Sequence, residues 1–556
     1  MMKGNHTMSL SESTPVLIVG AGPAGLVTAI GLARQGVRSI VIERHASTSI
    51  FPKATGVSTR SMEIFRGWGI DDEVRSGGWR VTPRQATVRT LGDPDPIESA
   101  LGFPDEEACR RVSPACAAVS PQDHLEPLLV DHFRSLGMGE VRFSTELLAF
   151  EQDGKGVSAL VRDGSTGEES TIRCDYLVGA DGHRSAVRAG LGIPMDGPED
   201  LGQFMSILFR ADLRPVLGET VFGLYMLTGD GAHAGPPTIV VPSGADDRFV
   251  LAIPLPPGTD DATATAAFTL GRAEAMIRAA AGVPDLEVEI LAMNAFAFSA
   301  QVAARTRDAR VFLVGDAAHR MTPRGGRGMN TAIADAFDLA WKLAWVSRGS
   351  ADAALLDSYE AERGPLGRRN VMLSIAPGGG GSEDGLAEDL GWIARSAVIV
   401  DDATPSTAPD AVFRPEARPG ARAPHVWLSV GGDRISTLDL FGRELVLLTA
   451  GSGARWRTAA ARVTAEYGAD LPISVHSVDR RMRDAAGTFA EAYGLEAGGA
   501  VLVRPDGVVA WRCRTAPADH GRALAAAVAI SLGRGTDADR ALLALKAGAA
   551  DRAVAA

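Results

Sequence analysis

The chain has 556 residues, of which 46% are hydrophobic and 22% are charged, a composition typical of a globular protein with a large core in two or three domains. The formal net charge of −12 argues against a nucleic-acid backbone as the partner. No apolar run is long enough for a membrane span, and residues 1–14 lack the apolar segment of a signal peptide. The cysteines have no metal-binding or disulfide spacing, so we expect no metal and a cytoplasmic location.

A βαβ unit opens the chain. Val16–Val19 and Ser39–Ile42 are apolar runs typical of buried strands, and Leu26–Gln35 between them is typical of a helix. The first strand leads directly into a glycine-rich hexapeptide, which consists of Gly20, Ala21, Gly22, Pro23, Ala24 and Gly25. A strand, such a turn, a helix and a second strand within about 30 residues form the pattern of a dinucleotide-binding fold.

Each glycine of the hexapeptide has a physical role in that fold. Gly20 permits the tight turn, Gly22 lets the backbone approach a pyrophosphate, and Gly25 lets helix and strand pack closely. The phosphate lies at a helix N-terminus, where free N–H groups favour an anion. Glu43 ends the second strand and offers a carboxylate to an adenosine ribose. A plain glycine turn is the alternative, but the register of these features favours a dinucleotide site.

Two further strands end in acidic turns. Residues 175–182 form an apolar strand that leads into an Asp-Gly turn, which on its own is explained equally well as a tight turn capped by Asp181. Val311–Val314 is a second buried strand and leads into a Gly-Asp turn. There the carboxylate of Asp316 is placed to hold the ribityl hydroxyls of a flavin.

A glycine-rich stretch follows Asp316 and leads into a predicted helix, Asn330–Val346. Reduced flavin gathers negative charge along one edge of its ring, and a helix N-terminus stabilises such charge. The alternative is a simple turn with Asn330 as the helix N-cap. The density of glycine favours the flavin interpretation. The residues of the stretch that carry it are Pro323, Gly325, Gly326, Gly328 and Met329.

The middle and the end of the chain have different patterns. Alternating apolar and polar residues predict an antiparallel sheet from Phe204–Phe209, Phe222–Leu227, Thr238–Val241 and Phe249–Pro254. Strand-like segments alternate with helix-like ones near the C-terminus and predict a smaller α/β domain. The middle sheet also supplies candidate substrate-pocket residues, although ordinary core packing explains each equally well: Phe222, Tyr225, Met226, Phe296 and Phe298.

In this order and spacing, the three motifs resemble those of the group A flavoprotein monooxygenases. That family includes para-hydroxybenzoate hydroxylase, phenol hydroxylase and the tailoring hydroxylases of aromatic polyketides. The similarity covers about Val16 to Val371, and residues 58–64 and 359–363 also match. Residues 420–425 resemble the start of the thioredoxin-like C-terminal domain in the phenol hydroxylase and polyketide branch.

The resemblance implies roles for individual residues. Glu43 and Arg44 would contact the ADP part of FAD, Gln122 would approach the pyrophosphate or ribityl chain, and Asp181 would serve both FAD and NAD(P)H. The predicted catalytic positions, beside the flavin ring, are Pro323, Gly325 and Gly326. The predicted cofactor-binding residues are Gly20, Gly22, Pro23, Ala24, Gly25, Glu43, Arg44, Lys53, Gln122, Asp181, Asp316, Pro323, Gly326, Gly328, Met329 and Asn330.

Two departures from the family pattern concern charge. Lys53 stands where the family usually has arginine, and lysine keeps the charge but loses the planar fork. Arg324 and Arg327 replace the uncharged residues of the family segment Pro-Thr-Gly-Gly-Gln-Gly. They either add positive charge beside the flavin or belong to the surface of the loop.

The resemblance implies a monooxygenase that uses FAD and NADPH or NADH. It would insert one oxygen atom from O2 into an aromatic or polyketide-type substrate through a flavin C4a-hydroperoxide, with hydroxylation as the expected outcome. Baeyer–Villiger insertion or epoxidation is the alternative, and a non-catalytic protein that binds flavin or substrate is a second one. A flavin halogenase is disfavoured because the Trp-x-Trp-x-x-Pro signature is missing. We expect a monomer or homodimer that binds neither nucleic acid nor a membrane.

The predicted fold is α/β, with a Rossmann-type FAD-binding domain, an inserted antiparallel-sheet substrate domain and a thioredoxin-like C-terminal domain. Residues 1–13 are expected to be a disordered leader. The FAD-binding domain takes residues 14–80, 105–190 and 299–375, and the substrate domain takes 81–104 and 191–298. A loop and linker at 376–417 precede the thioredoxin-like domain at 418–540.

Overall fold

The structure is a computed structural model that describes residues 12–228, 237–256, 258–259, 268–376, 385–402, 413, 415–468, 471–479 and 481–543. Most of the expected leader lies outside these ranges, but Glu12 and Ser13 belong to the first strand, which corrects the predicted boundary. The glycine-rich part of the expected loop, residues 377–384, also lies outside the described residues. Within the described ranges, no helix has the length and apolar character needed to cross a membrane.

Groups of strands and helices are interspersed along the chain. The strands are β1 (Glu12–Val19), β2 (Ser39–Ile42), β3 (Gly56–Val57), β4 (Thr82–Val88), β5 (Ile97–Ala100), β6 (Ala118–Val119), β7 (Gly139–Arg142), β8 (Thr145–Asp153), β9 (Gly156–Asp163), β10 (Glu169–Gly179), β11 (Met195–Asp196), β12 (Gln203–Arg210), β13 (Phe222–Leu227), β14 (Thr238–Gly244), β15 (Arg248–Pro254), β16 (Glu289–Ala297), β17 (Gln301–Ala303), β18 (Arg307–Asp308), β19 (Val311–Leu313), β20 (His319–Arg320), β21 (Trp427–Val430), β22 (Asp433–Ser436), β23 (Leu445–Ala450), β24 (Ile473–Val478), β25 (Met482–Arg483), β26 (Ala500–Val503) and β27 (Val509–Cys513). The helices are α1 (Pro23–Arg34), α2 (Thr59–Trp68), α3 (Asp71–Ser76), α4 (Glu106–Val112), α5 (Gln122–Ser135), α6 (Ala186–Gly190), α7 (Arg214–Leu217), α8 (Leu270–Ala281), α9 (Arg327–Ser347), α10 (Asp357–Ile375), α11 (Leu386–Leu390), α12 (Ala454–Tyr467), α13 (Phe489–Tyr493) and α14 (His520–Ser531).

An eight-stranded sheet carries the βαβ unit that the sequence predicts. Its order is β18-β19-β10-β1-β2-β7, and β9 and β8 continue from β10. The strands from β19 to β7 run parallel, so their carboxyl ends meet at one edge. Val16 and Leu17 on β1 are fully buried on opposite sides of the sheet, as a parallel strand covered on both faces requires.

A second sheet has seven strands in the order β16-β12-β15-β14-β13-β4-β5. Only the β13–β4 pair is parallel, so the predicted antiparallel arrangement holds for the rest. One face packs against α8 in a separate apolar core. The other face is open, because the alternation along each strand sends every second side chain into a cavity. The strands of residues 82–100 and 203–297 therefore build one wall.

The C-terminal residues form a four-stranded sheet in the order β24-β23-β26-β27. β23 and β24 run parallel, whereas β26 and β27 join them antiparallel. The helices α12 and α14 contact each other through the rings of Trp456 and His520, whose centroids lie 4.6 Å apart. Leu447 and Trp456 belong to the same apolar cluster as Val16 of β1. The C-terminal sheet therefore shares a core with the first sheet.

A buried cluster of ion pairs crosses this junction. Arg504 is fully buried, and its guanidinium lies 2.8 Å from Glu362 on α10, 2.5 Å from Asp506 and 3.3 Å from Asp338 on α9. Lys342 adds its ammonium group at 2.8 Å from Asp338 and 3.1 Å from Glu362. Three carboxylates thus share two cations, and burial raises the pKa of Asp338 to about 7. Removing any cation would leave buried negative charge without compensation.

Candidate active site

One cavity of about 2800 Å³ connects the carboxyl edge of the first sheet with the open face of the second. Its walls include the glycine turn after β1, the turn that carries Asp316 and the loop before α9. Of the predicted catalytic and cofactor-binding residues, those that line it are Gly20, Gly22, Pro23, Ala24, Glu43, Arg44, Lys53, Gln122, Asp181, Asp316, Pro323, Gly325, Gly326, Gly328 and Met329. Residues from motifs about 300 positions apart in sequence therefore face the same space.

The glycine turn after β1 is shaped for an anion. Gly22 and Pro23 begin α1, whose first turn has no side-chain cap, so its N–H groups remain available to a bound phosphate. A Cβ on Gly20 would lie 2.3 Å from the carbonyl oxygen of Ala180, which explains why glycine is required. Gly25 does not line the cavity, because a Cβ there would lie 1.9 Å from the Gly20 oxygen. It is therefore a packing residue, which corrects its predicted contact with the cofactor.

Glu43 lies beside this turn at the end of β2. Its carboxylate accepts hydrogen bonds from the backbone N–H of Ala21 at 3.0 Å and of His45 at 2.9 Å. These bonds hold the side chain at the edge of the cavity. Arg44 next to it is exposed at the rim. The pair is positioned at the adenosine end of the predicted dinucleotide site.

Sequence reasoning missed a second carboxylate, Glu126 on α5. Gln122 donates to it at 2.6 Å and the backbone N–H of Ser49 donates at 2.7 Å. Its Oε1 lies 3.9 Å from the position of a Cβ on Gly22, and burial raises the pKa of this carboxyl group. The available signal was its position four residues after Gln122, on the same face of the helix. The positive charge of Lys53, which is exposed, opposes this rise in the pKa.

Asp181 combines a structural contact with a position in the cavity wall. Its carboxylate accepts hydrogen bonds from the Ser185 hydroxyl at 2.5 Å and from the Val187 N–H at 3.0 Å. It therefore holds the turn that leads into α6, which is the capping role the sequence left open. Burial raises its pKa. A role in cofactor handling stays a prediction.

Asp316 lies in a short 3-10 turn, Gly315–Ala317, directly after β19. Its side chain is exposed to the cavity, and no hydrogen-bond partner for it is present among the described residues. A Cβ on Gly315 would lie 3.2 Å from Ala24 of α1 and 3.0 Å from Ala332 of α9. The turn is wedged between two helices, and this packing aims the carboxylate at the cavity.

The loop before α9 presents backbone to the cavity. Gly325 and Gly326 have φ angles of +74° and +59°, which favour glycine. Gly326 is the N-cap of α9, and that helix has no side-chain cap. The ring of Phe103 lies against the loop, 2.8 Å from where a Cβ on Gly326 would be. The loop therefore offers a narrow backbone surface at the uncapped start of α9, which suits the edge of a flat ring.

Asn330 is not among the residues that line the cavity. The structure therefore does not support its predicted contact with a flavin ring. The helix begins three residues earlier than expected, so Asn330 is not its N-cap either. Its Oδ1 accepts from the Ser58 N–H and the Ser61 hydroxyl, each at 2.8 Å. Its Nδ2 donates to the carbonyl oxygens of Gly56 at 2.9 Å and Gly326 at 2.7 Å. Asn330 ties the glycine loop to α2.

The two arginines of the loop differ in environment. Arg324 is exposed and lines the cavity, so it adds positive charge at that wall. Arg327 is half-buried and folds over Gly325, and burial lowers its pKa while Glu388 and Asp389 of α11 oppose that shift. Both side chains line the cavity, and Arg324 is the more exposed of the two.

Only some of the residues predicted for the substrate pocket lie on the open face of the seven-stranded sheet, so that prediction is partly wrong. Phe296 and Phe298 line the cavity. Phe222 and Tyr225 point the other way and are 6% and 3% exposed in the core under the sheet. Met226 lines the cavity from the same strand, because strand neighbours alternate between faces. A bulge between Phe222 and Leu224 shifts the alternation, so that Phe222 and Tyr225 both face the core. The periodicity of the sequence alone does not reveal this bulge.

Comparisons with known proteins agree with this geometry. A family model described as an FAD binding domain matches residues 13–374, and one described as the C-terminal domain of aromatic-ring hydroxylases matches residues 416–535. Aklavinone 12-hydroxylase RdmE of Streptomyces purpurascens is 38% identical and aligns over 92% of this chain and 97% of its own length. A 4-methyl-5-nitrocatechol 5-monooxygenase of Burkholderia is also 38% identical, over 92% and 96%.

A solved structure extends the likeness to the fold. The ternary complex of aklavinone-11 hydroxylase with FAD and aklavinone superposes with a TM-score of 0.84 at 36% identity, and covers 95% of this chain and 100% of that one. The chain therefore belongs to the FAD-dependent aromatic-ring hydroxylases. The predicted family is confirmed, and with it the class of enzyme, a flavoprotein monooxygenase.

The residues present fit FAD. The Glu43 carboxylate, the uncapped start of α1 and the carboxylate of Asp316 all line one cavity, and they are the groups that an adenosine ribose, a pyrophosphate and a ribityl chain require. The glycine loop before α9 lines the same cavity.

The purified protein is therefore expected to be yellow, with about one non-covalent FAD per chain. FMN should not replace it, since FMN lacks the adenosine that Glu43 faces. Release of the flavin by heat or acid and chromatography of the extract measure this directly. Recovery of FMN as the sole tight ligand would overturn the assignment of the turn at Gly20–Gly25.

Proposed function

We propose that this enzyme takes electrons from NADPH or NADH and hydroxylates a flat, polycyclic aromatic substrate of the polyketide type. The observation that carries the proposal is the open face of the seven-stranded sheet, which shares a cavity with the loop of Gly325 and Gly326. From β12 to β4 the sheet takes four interstrand steps, or about 19 Å. This open face forms the floor of the cavity. A floor of this width suits several fused rings better than the single ring named for the nitrocatechol relative.

Bound FAD supplies the redox chemistry, namely acceptance of a hydride and activation of O2. The chain's own residues bind, orient and exclude water. Glu43 and the glycine turn hold the adenosine end, and Asp316 holds the central hydroxyls. The N–H groups at the start of α9 favour negative charge beside Gly326. The apolar floor and Phe103 keep the reacting region dry, which strengthens these electrostatic interactions.

We also propose the three-domain organisation given by the sequence, with an FAD-binding domain, an inserted sheet domain and a thioredoxin-like domain at 418–540. The mixed sheet β24-β23-β26-β27, with one parallel pair at its β24 edge and two helices, supports the last assignment. Cys513 lies outside any Cys-x-x-Cys motif, so this domain is proposed to be structural and not redox-active. A cytoplasmic location fits four cysteines that form no disulfide in the structure.

Reduction of the flavin by NADPH or NADH is expected to be slow alone and faster with the correct substrate. A cavity shared by substrate and flavin lets a bound substrate shift the ring or the glycine loop into a reactive position. Stopped-flow bleaching of the yellow enzyme with and without substrate measures this. Fast reduction that ignores every polycyclic candidate would argue for an oxidase or for a non-catalytic flavin protein.

A further inference from the structure

Two polar side chains lie next to each other on the otherwise apolar cavity face of the sheet. Ser206 on β12 and Asn294 on β16 are directly opposite in the strand register, and both line the cavity. Ser206 is 3% exposed. Among the residues that the structure describes, neither side chain has a hydrogen-bond partner. Asn294 is exposed to the cavity, so the Ser206 hydroxyl and the Asn294 amide are both available to a ligand that lies on this face.

Their neighbours on the same face are aromatic. Phe204 and Phe296, two residues along from Ser206 and Asn294, also form a register pair, with ring centroids 5.9 Å apart. Phe298 joins them at 4.6 Å from Phe204. Two residues along a strand correspond to about 7 Å. The face therefore combines an aromatic patch with a donor and acceptor pair one short step away.

The remainder of the floor is apolar until its other edge. Ala252 and Val250 on β15, Ile239 on β14 and Met226 on β13 line the cavity between the two edges. Gln85 on β4 is the next polar side chain. Polar contacts are thus concentrated at the β12–β16 edge of the floor and at β4.

The geometry points to Ser206 and Asn294 as the residues that select the substrate, an inference that rests on the proposed function. They bind an edge of a polycyclic substrate on which a carbonyl oxygen and a phenolic hydroxyl stand side by side. The Asn294 amide donates to the carbonyl oxygen, and the Ser206 hydroxyl donates to the phenolic oxygen, whose own hydrogen is already bonded to the carbonyl. The rings of the substrate lie against Phe204 and Phe296.

The test is calorimetric titration of the oxidised, FAD-loaded protein with two probes, 1,8-dihydroxyanthraquinone and anthraquinone without the hydroxyls. The wild type is expected to bind the dihydroxy compound about tenfold more tightly, as one or two neutral hydrogen bonds allow. In S206A/N294A this preference should vanish, while the plain quinone, which offers the pair only a carbonyl oxygen, should lose affinity by a smaller factor than the dihydroxy compound. The control is S243A on β14, a fully buried serine outside the cavity lining, which should keep the preference.

Several outcomes would overturn the inference. These are a preference that survives in S206A/N294A, an equal loss of affinity for both probes, and no binding of either probe by the wild type. FAD content measured on each sample shows whether the variants fold. Oxidation of NADPH in the same samples reports on the proposed function separately. Selective binding without any NADPH oxidation would contradict that function and leave the selecting role of the pair intact.

Discussion

Replacing Asp316 by alanine is expected to weaken FAD binding roughly 10- to 150-fold without destabilising the apoprotein. The carboxylate faces the cavity and has no partner among the described residues, so its removal breaks nothing within the chain. A hydrogen bond to a charged group contributes about 1.5–3 kcal/mol, which gives that range in dissociation constant. Fluorescence titration of apoprotein with FAD, together with apo thermal unfolding, measures both quantities.

A matched control is D308A. Asp308 also belongs to the first sheet, but its carboxylate lies 2.7 Å from the Arg305 guanidinium and does not line the cavity. The FAD affinity of D308A should therefore stay unchanged. If Asp316 only stabilised its turn, the opposite pattern would follow. An affinity change under about threefold, with an apo melting temperature lower by several degrees, would remove Asp316 from the cofactor site.

Replacing Arg504 by methionine is expected to lower the free energy of unfolding by about 3–5 kcal/mol. Arg504 is fully buried and forms ion pairs with Glu362, Asp506 and Asp338. Without it, the single positive charge of Lys342 cannot balance the three carboxylates. Burial opposes the ionisation of Glu362, but Arg504 and Lys342 hold its pKa well below its usual range. Without Arg504 this pKa rises. Urea denaturation of wild type and variant gives the difference directly.

The pH dependence gives this prediction its sign. A carboxyl group whose folded-state pKa is raised stabilises the fold below its unfolded pKa and loses that contribution as pH rises through the folded value. The deficit of R504M should therefore be larger at pH 8 than at pH 5, where Asp338 and Glu362 can take up protons. R504M/E362Q should be less destabilised than R504M, because one unpaired charge is gone. A deficit under about 1 kcal/mol that does not change with pH would show that the cluster is hydrated in solution.

The dinucleotide site could be read from sequence because its determinants are local. The turn from Gly20 to Gly25 and the acid at Glu43 sit at set distances from strands that apolar runs reveal. Asp316 follows the same logic, since it ends a strand that is buried throughout. Parallel strands then bring these distant turns to one edge of the sheet.

Residues whose position depends on register or on long-range contacts could not be read in the same way. Phe222 and Tyr225 were predicted for the pocket, but a bulge sends them into the core. Asn330 resembled a flavin contact, yet its bonds go to α2, which is about 270 residues away in sequence. The pairing of Ser206 with Asn294 requires knowledge of which strands are neighbours. Hydrophobic patterns carry none of this information.

Product analysis under isotopically labelled O2 tests the central claim most directly. The FAD-loaded enzyme is incubated with NADPH and each of a panel of polycyclic hydroxyquinones, and the molecular mass of each product is measured by mass spectrometry. We predict an NADPH-dependent product that carries a single labelled oxygen atom on the ring system. NADPH consumption that yields only hydrogen peroxide, with every polycyclic substrate recovered unchanged, would contradict the assignment of this enzyme as a polycyclic aromatic hydroxylase.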